Sequence, residues 1–371
     1  MGMSNHNMFG INLEKGEPII VPPLEDTNKK GTLYFLSNLD HNFPCRVRTV
    51  YLFEPSKNEG NVEGEVVEVI KNALSKALVI YYPVAGRLTV VSEERMAVDC
   101  TDEGAVFVEA KAGCTIAEIG DDTVSMNNLV YDCPAAKHII EVPPLAVQVT
   151  KFTCGGFAVG VCVNHLVFDG QAGMDFINSW GKIARGLSLK VPPFLDRSIF
   201  KARNPPLIKF DHKEYLEIED IPNSSDLSDE EIIYKSFGFD TMKLEKLKKE
   251  AMEDGVVGEL IEKPLSFAVG LVREAIQMVT DRYIKSTIDY LEVTKAKPSL
   301  AGSLIIASWC RLSFDTTDFG WGPSYLAGRV SFPAVKESAI FMAHPKEKKS
   351  INVLLGFPAS SMKSFEELMQ I

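Results

Sequence analysis

The sequence predicts an α/β protein built as two domains, the second short of strands. Three observations carry this reading. The chain has 371 residues, more than one small core needs and a fit for two domains of ordinary size. Its first half holds at least six strand-like runs, whereas the second holds about three beside long amphipathic helices. Between them lies KVPPFLDRSIFKARNPPLIKF, residues 190–210, with proline pairs at 192–193 and 205–206. Such pairs fit neither a helix interior nor a central strand, so this stretch reads as an extended crossover linker. The expected boundaries are 1–189, 190–210 and 211–371.

The elements follow in order. CRVRTVYLF (45–53) is rich in β-branched and aromatic residues and reads as a strand. VEGEVVEVIKNALSKAL places apolar residues at helical spacing, and ALVIYY (77–82) is expected to be the next strand. RLTVV (87–91) and AVFVEA (105–110) follow. PLAVQVTKF (144–152) and GFAVGVCVNH (156–165) are adjacent strands joined at Cys154-Gly155-Gly156. MDFINSWGKIARG is an amphipathic helix stopped by Gly186. In the second half, IIYKSFGF (232–239), LIIASW (304–309) and SINVLLGF (350–357) are strands. TMKLEKLKKEAMED and KPLSFAVGLVREAIQMVTDRYIKSTIDYLEV are each expected as one helical segment. So few strands would leave those helix faces poorly covered.

Composition narrows the function. With 46% hydrophobic and 24% charged residues the chain is globular. A formal net charge of −11 argues against nucleic acid and anionic membranes. It leaves room for one small anionic ligand held by local cations or a helix N-terminus. Cys45, Cys100, Cys114, Cys133, Cys154, Cys162 and Cys310 are odd in number, with no Cys-x-x-Cys, which reads as reduced thiols. MGMSNHNMFG lacks an apolar signal core and has His6 where myristoylation needs Ser or Thr. No apolar run reaches the ~18 residues of a membrane span. The Asn223-Ser224-Ser225 sequon matters only in a secreted chain. The expectation is a cytoplasmic monomer acting on small molecules.

The strand GFAVGVCVNH is apolar on both phases, so it belongs inside a sheet covered on both faces. It ends on His165, with Asp169 four residues later and Gly170 and Gly173 beyond. A His-x-x-x-Asp pair arises by chance roughly 0.3 times in a chain of this composition, so alone it decides nothing. A neutral imidazole at a strand end can accept a proton from an incoming hydroxyl near neutral pH. A histidine that merely caps the strand fits the motif equally well. Zinc is not expected, because only His165 and Asp169 are grouped in sequence. There is no Gly-x-Ser-x-Gly elbow or Walker loop, and the kinase-like DFG at 318–320 lacks its companion motifs. Cys162 alternates onto the face opposite His165 and reads as a buried thiol.

Taken together, NHLVFDG (164–170), DFGWG (318–322) and YYPVAGRL (81–88) resemble the plant BAHD acyl-CoA-dependent acyltransferases. LSNLD (36–40), VTKFTCGGF (149–157), NSWGKIARG (178–186) and ASWCRL (307–312) extend the resemblance over almost the whole chain. GELIEKPLSFAVGLVREAI (258–276) and INVLLGFPA (351–359) are similar to the suberin-type feruloyl-transferring branch. The resemblance implies two chloramphenicol acetyltransferase-like α/β domains with mixed sheets and a solvent channel between them. It implies transfer of a hydroxycinnamoyl (feruloyl) group from CoA to an ω-hydroxy fatty acid or fatty alcohol, with shikimate or a polyamine as alternative acceptors. Acyl-CoA would be a co-substrate, with no cofactor held permanently.

By the same resemblance, His165 is the general base and no acyl-enzyme forms, which agrees with the lack of an activated nucleophile. Trp309 aligns with the Trp of a Thr-x-Trp motif that serves the carbonyl oxygen, although Ala307 stands in the Thr position. Asp169, with Gly170 beside it, would brace the His loop by pairing with a second-domain arginine. Asp318, Gly320 and Trp321 would be architectural.

The resemblance has a gap. Family members carry several tens of residues where Val257 here runs straight into Gly258. That block supplies a helix, a strand bearing Asp-Gly-Arg and a Gly-Tyr-Phe-Gly-Asn loop. Its arginine is the partner expected for Asp169, so the carboxylate is expected to be buried without its ion pair, at about 3–5 kcal/mol. Arg311 and Arg329 are the substitutes considered. An incomplete second domain and weak or absent turnover are the expected consequences.

Overall fold

A computed structural model describes residues 12–55, 65–92, 95–134, 138–216, 230, 232–253, 265–297, 304–330, 337–344, 347 and 349–368. In chain order the elements are β1 (Leu13–Lys15), β2 (Ile19–Val21), β3 (Leu33–Phe35), β4 (Arg46–Phe53), α1 (Glu65–Ile80), β5 (Arg87–Ser92), β6 (Arg95–Asp99) and β7 (Ala105–Ala112). There follow β8 (Leu145–Lys151), β9 (Phe157–Asn164), α2 (Gly170–Ala184), β10 (Ile232–Phe239), α3 (Thr241–Glu253), α4 (Leu265–Met278) and α5 (Asp281–Thr294). The last are β11 (Ile305–Ser308), β12 (Leu326–Arg329), β13 (Ser338–Ala343), β14 (Ile351–Pro358) and α6 (Ala359–Leu368). Two compact units form, the first from Met1–Leu36, Phe43–Ser198 and Arg311–Pro333, the second from Ser37–Asn42, Ile199–Cys310 and Ala334–Ile371.

The first unit is built on a mixed sheet ordered β1-β7-β8-β9-β4-β12, with β2 also on β7. The β7–β8 pair is parallel and the β8–β9 and β9–β4 pairs are antiparallel. As the apolar run predicts, β9 is buried on both faces. Phe157, Val159 and Val161 join Leu74, Leu78, Phe176 and Trp180 from α1 and α2. Ala158 and Cys162 face the other way, among Val50, Leu52, Ile116 and Leu129. Gly160 lets the Leu129 carbonyl reach the strand, since a Cβ there would lie 1.9 Å from that oxygen.

Two sequence expectations fail. ALVIYY is not a strand: α1 runs on to Ile80, because Ala77 and Leu78 continue the stripe of Ala73 and Leu74 and are fully buried on it. Burial at helical spacing outweighs the β-like composition. The long helix after the junction is two helices. Thr280 leaves helical geometry and its Oγ1 caps α5 by accepting the Tyr283 N–H at 3.2 Å.

The second unit's sheet is ordered β10-β14-β13-β11, parallel only at β11–β13. The sequence offered about three strands here, and β13 is the one missed. Its buried core is small: Phe239, Ala339, Val353, Leu355 and Met362. The Val257–Gly258 junction lies outside the described residues. On the helix that follows it, α4, Leu271, Val272, Ile276 and Met278 are 46–69% exposed, as a shortage of covering strands predicts. No helix among the described residues is long and apolar enough to cross a membrane.

The 199–210 stretch is tied to α5 by one carboxylate. Asp289, 1% exposed, accepts the Arg203 N–H at 2.8 Å, the Arg203 Nε–H at 2.7 Å and the Leu207 N–H at 2.6 Å. Burial opposes its ionisation, but the Leu207 and Arg203 backbone donors and the Arg203 guanidinium outweigh it and hold the carboxyl below its usual range. A depressed carboxyl contributes stability above the unfolded value of about 3.9 and loses it as pH falls further. Replacing Asp289 by Asn is expected to lower urea stability at pH 7 by about 2 kcal/mol. It should also flatten the loss of stability below pH ~4; equal acid sensitivity in the two proteins would refute this.

Candidate active site

The strand β9 delivers the chain to Asn164, buried opposite Arg46 of β4. There the backbone turns sharply, and the turn is tied from within. Asn164 Oδ1 accepts the Leu166 N–H at 3.0 Å, and the Asn164 carbonyl accepts the Val167 and Phe168 N–H groups at 3.0 and 3.2 Å. The His165 N–H donates to the Cys45 carbonyl at 2.9 Å. Leu166, Val167 and Phe168 all bury their side chains. His165 alone in this turn keeps a half-buried side chain, its ring 5.9 Å from that of Phe43 and tilted by 57°. An imidazole presented this way has a fixed backbone and a side chain that is not fully buried, which suits proton transfer.

Two carbonyls of the same turn are held by a residue that sequence reasoning missed. Arg197 donates from Nη2 to the Val167 carbonyl at 2.6 Å and from Nη1 to the Leu166 carbonyl at 3.4 Å. A single cation in a proline-flanked linker has no periodicity to betray it, so only three-dimensional placement reveals it.

Asp169 does something other than expected. It is exposed, and it is the N-cap of α2, its Oδ1 accepting the Ala172 N–H at 2.7 Å. The expected cost of a buried, unpaired carboxylate therefore does not arise: water solvates the charge and the helix N-terminus stabilises it. Of the substitute arginines, Arg329 is buried on β12 beside Cys45 and Arg311 is exposed. Gly170 opens α2, where a Cβ would meet Leu312 Cδ1 at 3.3 Å.

The DFGWG loop grips the other end of α2. Asp318 accepts Arg185 Nη1–H at 3.1 Å and the Gly320 and Gly322 N–H groups at 2.7 and 3.1 Å. Phe319 is fully buried edge-on to Trp180, with ring centres 4.9 Å apart. Gly320 takes φ +115°, a conformation that suits glycine. Trp321 packs edge-on to Phe157, 5.4 Å between centres, at the start of β9. His165 follows the far end of that strand, about 23 Å along at the usual rise per residue. Trp309 lies in the second unit just after β11, half-buried, its backbone N–H donating to the Phe341 carbonyl at 2.7 Å.

The thiols near the turn are poor nucleophiles. Burial pushes Cys45 up to about 11, with Arg329 pulling partly the other way. Burial likewise raises Cys162 to about 12, opposed by Arg46 and Arg48. At neutral pH both are thiols, not thiolates. No cluster of three or more metal-ligating side chains occurs among the described residues.

One further constellation was not anticipated. His212 Nε2 is 2.8 Å from Ser286 Oγ, and its Nδ1 is 3.1 Å from Glu214 Oε1. Serine, histidine and carboxylate in this order resemble a nucleophile–base–orienter chain. Ser286 is fully buried and His212 2% exposed, however, and Ser286 Oγ also accepts the Lys209 N–H at 2.8 Å. The group fastens the 199–216 stretch to α5.

A family model described as Transferase family matches residues 12–258 and 252–371. The two matches meet where the sequence resemblance breaks. Omega-hydroxypalmitate O-feruloyl transferase of Arabidopsis thaliana is 46% identical over 442 aligned residues, covering 99% of this chain and 95% of the relative. That length exceeds the chain's 371 residues by 71, so at least 71 aligned positions face no residue here. Fatty alcohol:caffeoyl-CoA acyltransferase of the same plant is 42% identical over 428 residues, covering 98% of this chain and 99% of the relative. Among solved structures, vinorine synthase shares the fold with a TM-score of 0.73 at 22% identity, covering 95% of this chain and 96% of its own.

If Asp169 acts as a helix cap, Asp169→Asn is expected to keep stability, whereas Asp169→Ala should lose about 1 kcal/mol in urea denaturation. Equal losses would point to a charge-specific role instead. Cys45 and Cys162 should alkylate with iodoacetamide at pH 8.5 far more slowly than a model thiol, followed by peptide mass spectrometry. Alkylation of either at the model rate in folded protein would contradict the burial argument.

Proposed function

This chain belongs to the Transferase (BAHD) family of acyl-CoA-dependent O-acyltransferases, and we propose that it transfers a feruloyl or related hydroxycinnamoyl group from CoA to the hydroxyl of an ω-hydroxy fatty acid or fatty alcohol. The acceptor class rests on the names of the two relatives above 40% identity, one acting on ω-hydroxypalmitate and the other on fatty alcohols. The reading takes the protein as a cytoplasmic monomer acting on two small molecules.

The observation that carries the mechanism is the His165 turn: a half-buried imidazole on a backbone fixed by hydrogen bonds, with no activated thiol at Cys45 or Cys162. Neutral His165 takes the proton from the acceptor hydroxyl. The alkoxide attacks the thioester carbonyl, giving a tetrahedral oxyanion, for which the Trp309 indole N–H is the proposed donor. As the C–S bond breaks, His165 returns its proton to the departing CoA sulfur, so charge balances without an acyl-enzyme. Lacking a hydroxyl at Ala307, the chain depends more heavily on that single indole. Asp169 and Gly170 set the start of α2, Asp318 and Gly320 hold its end through Arg185, and Trp321 seats that loop on Phe157 of β9.

A second reading has its own support. The shortfall of at least 71 aligned positions and the exposed apolar residues of α4 favour a shortened member with little or no turnover. The experiment measures ester formation from feruloyl-CoA and 16-hydroxypalmitate by purified chain, by its His165→Ala variant and by the chain with the relative's block restored. The transferase reading expects product that His165→Ala abolishes without altering far-UV circular dichroism. Product surviving that substitution would remove His165 as the base. Product only after restoration would establish the second reading, and no product even then would sink the proposed substrates.

A further inference from the structure

We infer that Arg197 is the positioning residue of the His165 turn, a guanidinium clamp that holds the general base at its working angle; the inference rests on His165 being that base. In the turn from Asn164 to Phe168 the N–H groups of Leu166, Val167 and Phe168 are satisfied on Asn164, that of Asn164 on the Pro144 carbonyl and that of His165 on the Cys45 carbonyl. The carbonyls of Leu166 and Val167 accept instead from a side chain outside the turn. The peptide planes following His165 are tied on their N–H side to Asn164, and a hold on their carbonyl side fixes their tilt, and with it the direction of the imidazole. Arg197 takes both from one planar fork, at 2.6 Å to Val167 and 3.4 Å to Leu166. A lysine is a point charge without that fork and cannot serve both acceptors in the same geometry.

The clamp is itself held. The Arg197 guanidinium lies 5.3 Å over the ring of Tyr34 in β3, which is buried and stands edge-on to Tyr82 at 6.0 Å. Cation–π attraction and stacking fix the plane of the fork. The anchor is therefore a wall of the first unit, and the linker segment merely delivers the side chain to it. Asp169, which the resemblance made the brace of this loop, only fixes where α2 begins. Arg197 holds the residues immediately after the base.

The test uses the full chain with Arg197→Ala, Arg197→Lys and His165→Ala. Two readouts are followed: steady-state transfer from feruloyl-CoA, and the rate of His165 carbethoxylation by diethyl pyrocarbonate from pH 5.5 to 8, read by peptide mass spectrometry. A clamp predicts that Arg197→Ala lowers kcat about 10–100-fold with KM for the acyl-CoA almost unchanged. Added free guanidinium should recover part of kcat in Arg197→Ala but not in His165→Ala, and the carbethoxylation pH profile should change in Arg197→Ala and Arg197→Lys alike. Thermal melts give the folded fraction for each variant. Unchanged kcat and an unchanged profile in Arg197→Ala would overturn the inference, as would a loss that only tracks the folded fraction and resists guanidinium. If Arg197→Ala does not fold, Arg197→Lys decides on the same two readouts. Activity retained by His165→Ala would instead remove the reading on which the clamp rests. If the unaltered chain gives no product, the carbethoxylation profile decides the clamp alone.

Discussion

The burial of α2 against the central strands of the first sheet is the contact on which the rest depends. Trp180 is fully buried, donates its indole N–H to the Ile70 carbonyl of α1 at 2.9 Å, and touches Phe176 and Phe319. Burying such a side chain contributes about 2–3 kcal/mol. With Phe176 and Ile177 it pins the helix to β9 and α1. Once α2 is immovable, both of its ends become reference points. Its N-terminus receives the His165 turn through Asp169, and its C-terminal half receives the DFGWG loop. Gly181 is part of this arrangement, since a Cβ there would lie 2.4 Å from the Asp318 carbonyl.

This geometry gives a physical account of why two distant motifs belong together. NHLVFDG and DFGWG meet the same helix: Asp169 caps the start of α2, and Asp318 holds Arg185 just past its end. One sets where the imidazole starts and the other keeps the helix from sliding along its axis.

Much of the first unit was legible because its strands are apolar and its turns carry glycine. β9 reads as a doubly buried strand from composition alone, and its histidine stands out by interrupting it. The failures have separate causes. ALVIYY looked like a strand because Val, Ile and Tyr favour sheets, yet Ala77 and Leu78 were committed to the stripe that α1 buries. β12 is only four residues long and its pairing partner, β4, lies far back along the chain, whereas β13 pairs with the neighbouring β14 and was missed for the brevity of its run. Asp169 was read as a buried brace because family resemblance supplied a role before burial was known. Arg197 was invisible, since what it does depends on two carbonyls about thirty residues upstream.

The apolar surface of α4 has a meaning beyond stability. Leu271, Val272, Ile276 and Met278 present a sticky stripe in the state that is supposed to be finished. Chaperones and proteases sort chains by such surface, so a folded unit wearing it is handled as though it were unfolded. Such a stripe gives chaperones and proteases a handle on the folded protein that does not depend on His165.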